Sequence, residues 1–236
     1  ANGGYRAFKD TVGKLDPADV LEIIKDANLR GRGGAGFPTG MKLSFVPRPN
    51  PDERGKHRYL VANADEMEPG TFKDRLLMEM DPHQLIEGMI LSAYTLSADV
   101  GYIFIRAEYH VAIARLREAI AAAEVNGYLG NNIANTDFSF RLHVHISAGR
   151  YICGEETALL NSLEGKRAIP RAKPPFPQVS GLWGRPTIVN NVETLCNITH
   201  IIANGPEWFK SLGRGKDGGT KLFGASGRVA RPGCWE

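Results

Sequence analysis

The run RYLVANA (residues 58–64) is apolar almost throughout and stops abruptly at the acidic stretch DEMEPG. An apolar run of this length, without alternation, is the pattern of a buried strand. GYIFIRA (101–107) repeats it, and FSFRLHVHIS (138–147) alternates cleanly, as a half-exposed strand does. Helical patterns lie between and around these runs. LDPADVLEIIKDANLRG starts with Asp16 as N-cap and Pro17 at the first helical position and places Val20, Ile23, Ile24 and Ala27 on one face, ending near Asn28. DPHQLIEGMILSAYTLSA repeats the Asp-Pro start, and HVAIARLREAIAAAEVNG is amphipathic and closed by Gly127. GEETALLNSLEG and NVETLCNITHIIANG read as two further helices, and TKLFGASGRV as strand-like. Strands alternating with helices imply an α/β layered domain with a mostly parallel sheet flanked by helices.

Bulk properties exclude several classes. Of 236 residues, 42% are hydrophobic and 23% charged, as in ordinary globular proteins. A net charge of +3 gives no global field for nucleic acid, so anion binding must come from local clusters. No apolar run approaches a bilayer span, and ANGGYRAFKD lacks a signal-peptide core, so no direct membrane insertion is expected. Cys153, Cys196 and Cys234 are far apart and odd in number, which supports neither a disulfide framework nor a metal site and points to a reducing, cytosol-like compartment.

Four segments carry chemistry. NLRGRGGAGFPTGMK (28–42) holds five glycines, whose backbone amides can approach a ligand closely and form an anion nest. It lacks the Gly-Lys-Ser/Thr ending of a P-loop, and a helix rather than a strand precedes it, unlike a dinucleotide fingerprint. Arg30, Arg32 and Lys42 tip the reading from a surface turn toward a phosphate, and a short helix carrying Lys42, Leu43 and Phe45 is expected from Thr39 or Gly40. NADEMEPG (63–70) sets Asn63, Asp65, Glu66 and Glu68 at the carboxyl end of a strand, where ligands bind in open α/β sheets. A solvated acidic turn is the plain alternative; no histidine partner suggests a metal.

GRYICGEETALLNSLEGK (149–166) puts Tyr151 beside the free amides of a helix start. Glu155 and Glu156 there suit the helix dipole, and they also suit ribose hydroxyls while repelling a 2′-phosphate. Cys153 reads as a small buried residue. The proline-rich KRAIPRAKPPFPQVSGLWGRP carries Lys173 and Phe176, a cation and an aromatic suited to a nucleotide. Asn190, Asn191 and Thr194 are candidates for an amide cradle at the next helix start, although capping alone accounts for one of the asparagines.

Taken together, GRGGAGFPTGMKLSF, NADEMEPGTFKDR, GRYICGEETALLNSLEGKRAIPRAKPPFP and NNVETL resemble, in order, the flavin-bearing, NADH-oxidising 51-kDa or F-type subunit of respiratory complex I, in wording nearest the bacterial form. The resemblance implies a Rossmann-like FMN/NADH-binding domain over residues 1–236, with a short helical part at 1–30. It implies that Gly31, Arg32, Gly33, Gly34 and Lys42 cradle FMN and that Asn63, Asp65 and Glu66 edge the flavin. Tyr151, Gly154, Glu155 and Glu156 stand between flavin and NADH, and Asn190, Asn191 and Thr194 meet the FMN phosphate end. Gly34, Phe37, Phe45, Glu68, Glu156, Lys173 and Phe176 contact NADH.

The implied reaction is hydride transfer from NADH to FMN, then single-electron transfer to iron–sulfur clusters toward quinone. Glu66 and Glu68 orient the reactants; no residue acts as an acid–base catalyst. The implied partners are the peripheral-arm iron–sulfur subunits (24-kDa or E-type, and 75-kDa or G-type), at the cytoplasmic face of a bacterial plasma membrane or on the matrix side in mitochondria. Family members continue into a ubiquitin-like domain and a helical domain with a [4Fe–4S] cluster; the cysteines for that cluster are not among these residues. A diaphorase subunit of an NAD-linked hydrogenase or formate dehydrogenase is the alternative within the class. A non-catalytic anion-binding or assembly module is the alternative outside it.

Overall fold

The structure, a computed structural model, describes residues 3–49, 52 and 56–236. Its centre is a four-stranded, wholly parallel sheet of β1 (Tyr59–Ala64), β2 (Val100–Ile105), β3 (Arg141–Ile146) and β4 (Thr187–Asn191), in the order β3-β2-β1-β4. β1 has neighbours on both sides, with Ala62 opposite both Ile103 and Asn190. It is buried along nearly its full length, as its apolar run requires. β3 is an edge strand with mixed exposure, in keeping with its alternating sequence.

Successive β1 side chains point to opposite faces. Leu60, Ala62 and Ala64 join Ile103, Ile105 and Leu142 in the larger core, under a helical layer. That layer comprises α1 (Arg6–Thr11), α2 (Pro17–Asp26), α3 (Thr39–Ser44), α4 (Lys73–Met80), α5 (Pro82–Leu96), α6 (His110–Val125) and, after β4, α9 (Val192–Asn204). On the other face, Tyr59, Val61, Phe104 and Val189 meet Leu159, Leu160 and Leu163 of α7 (Glu156–Leu163), with Cys153 buried beneath. The short α8 (Pro177–Ser180) follows the proline-rich loop; α10 (Pro206–Leu212) and an antiparallel pair, β5 (Phe223–Ala225) and β6 (Gly233–Trp235), follow α9.

The expected caps form. Asp16 accepts from the Ala18 amide at 2.7 Å, and Asp81 from Gln84 at 3.3 Å. α2 stops at Asp26, two residues short of the expectation, and Asn28 then adopts a left-handed conformation. Six of these elements escape the periodicity reading: α1, α4, α8, α10, β6 and β4. The last is a five-residue run that the sequence joins directly to the following helix, so it reads as part of the helix start. Gly88 explains how closely α5 and α9 cross, because a Cβ there would lie 2.1 Å from the Leu195 carbonyl oxygen. All three cysteines are free.

Candidate nucleotide site

The strand order reverses direction between β1 and β4. β1 continues to β2 and β3 on one side, and β4 returns to the other. In open parallel sheets such a switch point leaves a crevice at the carboxyl ends of the strands. Here β1 ends at Asn63 and Ala64, β4 at Asn190 and Asn191, and two adjoining cavities open beyond them.

The larger cavity, about 510 Å³, is walled by Arg32, Gly33, Gly34, Asn63, Asp65, Glu66, Glu68, Tyr151, Gly154, Glu155 and Asn191 among others. The smaller, about 260 Å³, is walled by Gly31, Phe37, Lys42, Glu156, Asn190 and Thr194. Gly33, Asn63, Gly154 and Asn191 belong to both. Three helices begin at this crevice: α4 at Lys73, α7 behind its N-cap Glu155, and α9 behind its N-cap Asn191. Their dipoles turn positive ends to the crevice, a field that suits an anion.

The Gly-rich loop reaches the crevice although it does not follow a strand. The Arg32 amide donates to Thr194 Oγ1 at 2.8 Å, and the Gly31 amide to the Phe37 carbonyl at 2.9 Å. Gly34 has φ +120°, and a Cβ built there meets nothing within 4 Å. At Gly33 a Cβ would come within 3.2 Å of Asn191. The loop's cations are already engaged. Arg32 turns its guanidinium to the carbonyls of Arg30, Gly218 and Thr220, and Arg30 pairs with Asp217 at 2.7 Å. A phosphate therefore meets amides here more than arginines.

Carboxylates expected to act alike differ in the fold. Glu66 is buried and caps α4: Oε1 accepts from the Asp74 amide, and Oε2 from the Arg75 amide and the Tyr109 hydroxyl, all within 3.1 Å. Burial, reinforced by Asp74, raises its pKa despite these bonds. Asp65 is buried with no well-formed hydrogen bond to either oxygen. Burial pushes it up to about 6, against the opposing pull of Ser147 and Arg106.

Glu155 spends Oε2 on the Thr157 and Ala158 amides and the Thr157 hydroxyl. Those bonds, with Lys173, outweigh burial and lower its pKa. Glu156 lies between two cations instead, 2.7 Å from Lys42 Nζ and 3.3 Å from Lys173 Nζ. The exposed Tyr151 donates to Glu68 Oε2 at 2.9 Å.

Phe45, Lys173 and Phe176 stand outside both cavity walls. The Phe45 ring is 6.3 Å from that of Phe37, Phe176 is exposed at the start of α8, and Lys173 reaches the rim through Glu156. Lys73 and Asp74 line the larger cavity, a place that sequence reasoning missed. Lys73 Nζ is 2.8 Å from Asp74 and 2.7 Å from Glu193, and Asn191 Nδ2 donates to Asp74 at 2.6 Å. Burial disfavours the Lys73 charge, yet the two carboxylates outweigh it and raise its pKa. Its signal was the lysine just beyond the expected turn at Pro69-Gly70.

Comparison with known proteins sets this site in a family. The sequence pattern described as the Nuo51 FMN-binding domain matches residues 24–200. The F-type NADH-quinone oxidoreductase subunits of Salmonella typhimurium and Escherichia coli are each 58% identical over all 236 residues; the Mycobacterium bovis protein of the same name is 50% identical over 233. The chain spans about half, 52%, of the length of these curated relatives. The crystal structure of an NAD+-reducing [NiFe]-hydrogenase in the H2-reduced state superposes with a TM-score of 0.86 at 44% identity, over 98% of this chain and 38% of that one. The chain belongs to the Nuo51 FMN-binding domain family.

Proposed function

We propose that this chain is the FMN- and NADH-binding part of an NADH:quinone oxidoreductase subunit. The observation that carries the reading is the pair of adjoining cavities at the switch point, built by the segments that the family resemblance names. The lining fits FMN on its own chemistry. Gly34 leaves space where any side chain would intrude, and the buried Asp65 oxygens and Asn190 Nδ2 lack partners that a polyol or a ring edge supplies. FMN bound there supplies a hydride acceptor that releases its electrons singly.

The chain's own residues bind and orient. The amides of Gly33 and Gly34 and the positive ends of the α4, α7 and α9 dipoles receive phosphate and polyol oxygens. Asn63, held by donating to the Gly154 carbonyl at 2.9 Å, fixes the floor between the two cavities. Glu156 offers its carboxylate to ribose hydroxyls, and its charge repels a 2′-phosphate. Glu66 shapes the wall through α4 without offering a free oxygen, and Glu68 is positioned by Tyr151. Tyr151 and Phe37 supply aromatic faces at the rim, 64% and 46% exposed. We place the partners among iron–sulfur subunits of the E and G types at the cytoplasmic face of the membrane. No helix among the described residues is long and apolar enough to cross that membrane.

The experiment is reconstitution with FMN followed by anaerobic NADH. Yellow protein bleached by NADH and hardly by NADPH is expected. Colourless protein that fails to take up FMN refutes the reading and leaves an anion-binding module. A diaphorase of a hydrogenase is the second reading, favoured by the superposition with the NAD+-reducing enzyme; co-purifying subunits separate the two.

A further inference from the structure

The proline-rich loop has no periodic structure of its own, yet it delivers Lys173 to the α7 carboxylates. Its anchor is Arg171. The backbone amide of Arg171 donates to Thr157 Oγ1 at 2.8 Å. Its guanidinium donates in three directions: Nε to Asn161 Oδ1 at 2.9 Å, Nη1 to the Gly181 carbonyl at 2.8 Å, and Nη2 to Glu164 Oε1 at 2.7 Å. Glu164 is nearly buried and also accepts from the Trp183 amide at 2.7 Å and from Lys166 Nζ at 2.6 Å.

Glu164 closes the C-terminal end of α7, where the helix dipole disfavours a negative charge. Helix stability therefore does not account for a carboxylate there; the loop it gathers does. The same Thr157 hydroxyl that accepts from Arg171 donates to Glu155 Oε2 at 2.7 Å. A continuous chain of contacts thus runs from Glu164 through Arg171 and Thr157 to Glu155. Two residues beyond Arg171, Lys173 Nζ lies 3.3 Å from Glu156 and 3.8 Å from Glu155.

We propose that Arg171 is a positioning residue for the dinucleotide, locking the proline-rich loop onto α7 so that Lys173 faces Glu155 and Glu156. This rests on the NADH reading above. Each of the three acceptors is met by a different nitrogen of the guanidinium, a spread that the single nitrogen of a lysine ammonium does not span, so lysine is no substitute. Arg171 touches neither cavity and acts through Lys173 and the α7 start.

The test uses the flavin-loaded protein and two readouts. Arg171→Ala and Arg171→Lys both raise the KM for NADH about tenfold, within the range that couplings through packed networks reach. Neither changes FMN stoichiometry or kcat by more than about twofold. Trypsin cuts after Arg167 faster in both variants than in the wild type, because the loop is released. Glu164→Gln, nearly isosteric, shifts both readouts in the same direction and adds less than its own effect when combined with Arg171→Ala. Unchanged KM with unchanged cleavage overturns the assignment, as does a parallel fall in FMN content and kcat. Failure of the NADH reading itself shows separately, as wild-type flavin that NADH does not bleach. Cleavage after Arg167 still reports on the loop in that case, and equal rates overturn the clamp.

Discussion

Gly34 allows the cradle to be tested with its two effects separated. Its φ of +120° lies where L side chains rarely sit, and a Cβ there contacts nothing within 4 Å. A side chain at this position therefore costs backbone strain of about 1–3 kcal/mol, and its Cβ adds no clash within the protein. In a domain of this size that lowers Tm by roughly 2–12 °C, against a total stability of about 5–15 kcal/mol, so the fold survives. Valine, being β-branched, bears somewhat more backbone cost than alanine, and it projects farther into the larger cavity, which Gly34 lines. Gly34→Ala and Gly34→Val are then expected to melt within a few degrees of each other without flavin. Gly34→Val loses FMN altogether, and Gly34→Ala binds it more weakly than wild type. Flavin absorbance per chain after gel filtration, with calorimetric melting of the stripped proteins, reads both quantities. Stoichiometric FMN retained by Gly34→Val would falsify the placement. Equal FMN loss in both variants, tracking Tm, would attribute the effect to strain instead.

Three further outcomes are expected. Glu156→Gln removes the carboxylate between Lys42 and Lys173 and raises the KM for NADH by about tenfold, worth roughly 1.4 kcal/mol, while FMN content holds; equal loss of both would make Glu156 a structural residue. Asp65 has a folded pKa of about 6, raised above its ordinary 3.8 by burial, so its stabilising neutral form is fully present below about pH 4 and lost as pH rises through 6. Asp65→Asn should flatten the flavin-free protein's stability across that window by up to about 3 kcal/mol, and an unchanged slope in urea melts at pH 4.5 and 7.5 would refute the assignment. Gly88→Ala forces a Cβ to within 2.1 Å of the Leu195 carbonyl and should cost about 1–3 kcal/mol or more by overpacking; a melting temperature equal to wild type would contradict the close crossing of α5 and α9.

Legibility differed by element for physical reasons. Buried runs such as RYLVANA and GYIFIRA announce strands because both faces need apolar residues, and Asp16-Pro17 and Asp81-Pro82 announce helices because the cap and the preset φ act within one turn. β4 was hidden because TIVNN passes into α9 with no turn residue between them. α4 was hidden because its N-cap is not a local side chain. Glu66, buried and lying 8 and 9 residues before the two amides it satisfies, does that work.

The same division holds at the site. Sequence alone determined which segments were candidates for binding: the glycines of 31–36, the carboxylates of 65–68, the α7 start and the asparagines before α9, since residue types and their spacing limit the chemistry they can do, and the fold gathers them at one crevice. Only the tertiary structure decided how neighbours divide the work. Glu155 became a helix cap while Glu156 stayed at the rim between two lysines, and Glu66 turned inward to α4. Arg32 turned away toward three carbonyls, and Lys73 came to the cavity wall. Adjacent residues on one turn share composition and charge. Which of them faces a buried amide, a cation or the crevice depends on partners up to 188 positions away, as with Arg32 and Thr220, and no local pattern encodes that distance.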